Sequence, residues 1–173
     1  MSEKVVSENV AGEKTAGEKT VAGPHVRLAD RGLVLPDLGA PAYAYEAWTR
    51  HEDLLYLSGQ ISRVADGSIL AGRVGDDATV ADASAAAEVA ALNLLSRIDQ
   101  AVGLDQVAAV LKLNVWVAGG EGFTDQPTVA ESASRLLIDV LGDAGRHART
   151  ALPSPVLPKN ALVELDAVVA VRS

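Results

Sequence analysis

The sequence contains no cysteine, which excludes a disulfide framework, thiolate metal sites and a cysteine nucleophile. Aromatic residues are scarce at 3%, so any core must be built from aliphatic side chains. Positive charge is also short: 15 Lys and Arg stand against 23 Asp and Glu, a formal charge of −8. That balance argues against nucleic acid as a partner, because phosphate backbones are met by a field of the opposite sign. No apolar run approaches the roughly 18 residues of a membrane span. The opening residues, from Met1 to Asn9, lack the apolar stretch of a signal peptide. The three histidines, His25, His51 and His147, do not pair at metal-binding spacing, so no metal and no cofactor is expected. These absences predict an acidic, soluble, cytoplasmic protein.

What is present fits one globular domain. A 173-residue chain with 49% hydrophobic and 22% charged residues is long enough and apolar enough to bury a core. Residues 1–23 stand apart: they hold a tandem repeat, Ala11–Thr15 and Ala16–Thr20, both AGEKT, and few large apolar side chains. Such a segment cannot offset its chain entropy and reads as a flexible tail. The remainder, 24–173, is expected to fold as a single domain.

Periodicity divides that domain. His25 to Gly32 suits a short helix. Leu54–Ser58 reads as a strand, with Asp66-Gly67 supplying turn chemistry after it. Thr79 and Asp82 have capping-box spacing ahead of an Ala-rich helix that Gly103 stops. In the strand Val110–Val117, alternation puts Leu111, Leu113, Val115 and Val117 on one face. Val110, Lys112, Asn114 and Trp116 take the other. A second helix starts near Pro127 and carries an apolar stripe from Val129 to Leu141. In the last strand, Val163, Leu165, Ala167, Val169 and Val171 share one face. The order predicts an α+β fold with two helices on one sheet face. Trp116, Leu162 and Val168 would then point to an uncovered face, which predicts self-association.

Familiar catalytic motifs are missing. Ser58 sits in Ser-Gly-Gln rather than a nucleophile elbow. Gly72, Gly75, Gly119, Gly120 and Gly122 match neither a dinucleotide nor a phosphate loop. His147 reads as a packing or helix-end residue, and Asp76-Asp77 as a solvated turn. Arg149 and Glu164 remain. A guanidinium suits bidentate capture of a small carboxylate, and a carboxylate beside it could activate water. The same two residues equally suit a structural ion pair at a subunit contact, the commoner use of such a pair.

Three segments resemble the Rid family, also called YjgF-like or L-PSP-type proteins. They are Leu55–Ile61 (LYLSGQI), Arg149-Thr150 with Leu157-Pro158, and Val163–Asp166 (VELD). The resemblance runs from about Val26 to Val171. Phe123–Pro127 and Gly145–Arg149 (GRHAR), with an extension over Leu28–Pro36, are similar to the chorismate-mutase-like subgroup. The resemblance implies a chorismate-mutase-like α+β domain with a mixed sheet, assembled as a homotrimer with clefts between subunits. It implies an enamine or imine deaminase that releases ammonia and a 2-keto acid. Arg149 would bind the substrate carboxylate, and Glu164 would position water and shuttle a proton. Tyr45 and Gly59 would line the cleft, and Ala151 would offer its backbone amide. Ala130 and Ala151 stand where the active branch usually has Asn and Cys. That departure keeps open a second reading, a trimeric protein that binds a small carboxylate metabolite without turnover. Ribonuclease chemistry is poorly supported in so acidic a chain. Chorismate mutase chemistry would need more cations than Arg149 and Arg146.

Overall fold

The computed structural model describes residues 22–172; the repeat-bearing segment assigned to a tail lies almost wholly outside them. The described chain runs α1 (Pro24–Asp30), β1 (Trp48–His51), β2 (Leu54–Ile61), α2 (Val80–Val102), β3 (Val107–Ala118), α3 (Gln126–Leu141), β4 (Ala148–Ser154) and β5 (Val163–Val171). The strands form one mixed sheet in the order β1-β2-β5-β3-β4. β3 and β4 are parallel across the α3 crossover, and the other neighbours are antiparallel. Among the described residues no helix is long and apolar enough to cross a membrane.

The long helix α2 forms where its signals stand. Thr79 Oγ1 accepts from the Asp82 amide at 3.1 Å, and the Asp82 carboxylate accepts from the Thr79 amide at 2.9 Å. The Thr79 hydroxyl also donates to the Asp82 carboxylate at 2.6 Å, and that bond foremost, then the one from the Thr79 amide, holds the Asp82 carboxyl below the usual carboxylate range. Gly103, at φ 83°, ends the helix in a conformation that β-carbon-bearing residues resist. Helix α2 lays Ala83, Ala86, Ala87, Ala90, Leu94 and Ile98 into the core, and α3 adds Val129, Ala133, Leu137 and Val140. The alanines let the helices approach closely. Each fully buried leucine, such as Leu94 or Leu137, stabilises the fold by roughly 1.5–3 kcal/mol. Asn93, nearly buried, donates to the carbonyls of Ile61 and Arg63 at 3.0 and 2.9 Å, tying α2 to the end of β2.

Both helices pack on one face, where β5 buries Val163, Leu165, Ala167, Val169 and Val171 as its alternation predicts. Two expectations for the other face need correction. β3 is longer than Val110–Val117, and its pairing with β5 shifts register between Val110 and Lys112. The irregularity inverts the alternation: Val110 is buried in the core, and Leu111 is 44% exposed. Leu162 precedes β5, gives its amide to Leu70 O and is buried with the core. Trp116 is partly covered as well, packed with Ile61 and Ile69 on a small cluster of Ala118, Leu157 and Ala161. The rest of this outer face is open, with Tyr56 and Leu152 at 43% and 46% exposure.

Candidate functional site

Glu164 stands on the outer face of β5, paired with Ile61 on one side and Trp116 on the other. The pairing of β2 with β5 is irregular between Leu57 and Gln60, so Ser58-Gly59 bulges beside the glutamate. A β-carbon on Gly59 would lie 2.2 Å from Glu164 Oε1. The glycine is therefore what lets this carboxyl lie against the backbone of β2. Burial foremost, and then the Asp166 carboxylate on the same strand face, push the Glu164 carboxyl above its ordinary value. Asp166 is itself held by Asn114 Nδ2 at 2.9 Å. A carboxyl so placed can both give and take a proton closer to neutral pH than an exposed one.

Tyr45 belongs to the same end of the sheet. It is 53% exposed in the segment before β1. Ser58 pins that segment to the bulge, donating from Oγ to Glu46 O at 2.7 Å and from its amide to Ala47 O at 3.0 Å.

Arg149 and Ala151 face the other way. In β4 they pair with Leu113 and Val115, two core residues under the helices. The side chain of Arg149 reaches α3, where Nη1 donates to Ser134 Oγ at 2.9 Å and to Glu131 Oε2 at 3.3 Å, and Nη2 to Pro127 O at 3.4 Å. Ala151 packs against the core. Ala130 is fully buried, so its side chain lines no surface of the chain. Within one chain, then, Gly59 and Glu164 meet on the outer face, Tyr45 lies in the segment bonded to the bulge, and Arg149 with Ala151 lies on the helix side of the edge strand.

Sequence spacing does not mark the partners of Arg149. Ser134 is the signal that was there to find: it interrupts the apolar stripe of α3 between Ala133 and Leu137, and it is buried. A buried hydroxyl needs partners. It has two, Arg149 and His147, the latter at 2.9 Å from Nε2.

Comparison with known proteins agrees with this architecture. The family described as "YjgF/chorismate mutase-like, putative endoribonuclease" matches residues 25–170. The chain is 41% identical over 140 residues to Protein TCP17 of Trypanosoma cruzi, covering 80% of this chain and 88% of that one. It is similar to the crystal structure of Atu1372 from Agrobacterium tumefaciens, a protein of unknown function, with 39% identity, TM-score 0.77, and 86% and 94% of the two chains covered. A Shewanella oneidensis structure that carries the endoribonuclease label gives 31% identity, TM-score 0.83, and coverage of 87% and 100%. Matched along nearly the whole described domain in both sequence and fold, the chain belongs to the YjgF/chorismate-mutase-like, or Rid-type, family.

Proposed function

We propose that this protein is a Rid-type deaminase that hydrolyses a small imino or enamino acid to a 2-keto acid and ammonia. Its cleft forms between subunits of a homotrimer, with Arg149 of one chain facing Glu164 of the next. The observation that carries the reading is the Glu164 carboxyl, raised by burial and seated on Gly59. In the reaction, Arg149 holds the substrate carboxylate through charge-assisted hydrogen bonds. Glu164 takes a proton from water as the water oxygen bonds to the C=N carbon and gives it to nitrogen, forming the carbinolamine; it then takes the hydroxyl proton as the C=O bond forms and passes it to nitrogen as the C–N bond breaks. Water and imine are consumed, ketone and ammonia are released, and no redox partner is needed. The intrinsic reaction is easy, so positioning plus one acid/base group is enough. The open outer face, with Tyr56 and Leu152 exposed, supports assembly as the means of covering it.

The opposed placement of Arg149 and Glu164 also favours a second reading, a carboxylate-binding protein without turnover. Hydrolysis of 2-iminopropionate separates them. Turnover by the wild type that falls at least tenfold in Glu164→Gln, with pyruvate binding retained, supports the deaminase. Binding of pyruvate with no turnover supports the second reading.

A further inference from the structure

Arg149 already meets a carboxylate inside its own chain. Glu131 Oε2 lies 3.3 Å from Nη1, and the other oxygen of Glu131 accepts from Arg135 Nε at 3.1 Å. Glu131 is half-exposed on α3. Beside it runs an open groove lined by Ser84, Thr128, Ser132 and Arg135, with room for its carboxylate to move.

The other contacts of the guanidinium are built differently. Ser134 is 7% exposed, and its hydroxyl joins Arg149 to His147. His147 Nδ1 lies 2.6 Å from Gly145 O, and Nε2 lies 2.9 Å from Ser134 Oγ. A carbonyl only accepts, so the partners assign the ring proton to Nδ1. Nε2 then accepts the serine proton, which leaves the serine oxygen as acceptor for Arg149 Nη1–H. Each link has one donor and one acceptor. The chain from Gly145 O through His147 and Ser134 fixes the guanidinium from its buried side. Glu131 holds it from the solvent side, where a half-exposed ion pair is worth little.

We propose that Glu131 is an internal competitor for Arg149: it occupies the guanidinium in the free chain and yields to the carboxylate of a 2-keto or 2-imino acid. Ser134 and His147 are the positioning residues that hold Arg149 through the exchange. The arrangement sets specificity, because only a ligand bringing a full anionic carboxylate replaces what Glu131 provides. This rests on the reading of Arg149 as the carboxylate-binding residue.

Pyruvate binding to the full chain, measured by calorimetry, tests it without requiring turnover. Glu131→Gln should bind pyruvate about two- to fivefold more tightly than wild type, the range an exposed ion pair allows. Asp143→Asn removes the same charge from a residue that pairs with Arg146 instead of Arg149, and should bind as the wild type does. Ser134→Ala should bind more weakly. Equal or weaker binding by Glu131→Gln overturns the proposal, as does no binding by any variant, or equal tightening in Asp143→Asn. Imine turnover is read separately. Tighter pyruvate binding with no turnover in any variant keeps the proposal and removes the deaminase. Turnover with unchanged affinity does the reverse. Where both hold, the Glu131→Gln gain falls on KM.

Discussion

Two glycines stand beside the two halves of the site, and a methyl group would mean something different at each. At Gly59 the added carbon would meet Glu164 Oε1 at 2.2 Å, the free end of a flexible side chain. At Gly145 it would meet Leu137 O at 2.2 Å and Ile138 Cα at 2.8 Å, the backbone of α3. The glutamate half is thus set by a side chain laid on an open strand. The arginine half is set by the backbone of α3 lying directly against Gly145 in the turn before β4, with buried Ser134 of α3 bonded to Arg149. An added methyl group is met by side-chain movement at the first and by backbone strain at the second.

Gly145→Ala should therefore have the largest effect on stability. Neither backbone group can retreat, so the cost is about 3 kcal/mol, or roughly 6–12 °C in Tm for a domain of this size. A melt within 2 °C of wild type would show that the turn before β4 yields easily. Gly59→Ala sharpens the contrast. It should melt within about 1 kcal/mol of wild type, because Glu164 can swing aside, yet lose imine turnover to the level of Glu164→Gln. Retained turnover would detach the glycine from the glutamate.

The smallest effect is a pH dependence. The folded protein raises the Glu164 carboxyl above its unfolded value, so it binds that proton more readily than the unfolded chain does. The stability linked to Glu164 is complete below the unfolded value and is lost as pH rises through the folded one. Glu164→Gln should accordingly melt higher than wild type at neutral pH, with the gain shrinking as pH falls from the raised folded value toward the ordinary carboxylate value and gone below it. A gain that is constant across pH would place the effect elsewhere.

The elements that carry local signals were legible from the sequence. Thr79, Asp82 and Gly103 bound α2, Pro127 and Gly142 bound α3, and strict alternation marks β5. The irregularity near Leu111 was not legible, because it arises where β3 pairs with a strand more than fifty residues later. The short edge strands β1 and β4 likewise take their identity from their neighbours. The face on which Arg149 lies follows from the parallel register that the α3 crossover imposes on β4, opposite Leu113. No spacing between Arg149 and Glu164 encodes that. The sequence offers Arg149 and Glu164 as candidates; their division between the two sides of the sheet could not be read from it.

That division is the central claim, and subunit complementation tests it most directly. Arg149→Ala and Glu164→Gln are each expected to be inactive alone. Unfolded together in equal amounts and refolded as mixed trimers, they should regain about a quarter of wild-type turnover, because one cleft in four combines an intact arginine with a neighbour's intact glutamate. A mixture that stays as inactive as its parents, although mass spectrometry shows mixed trimers, would contradict the account.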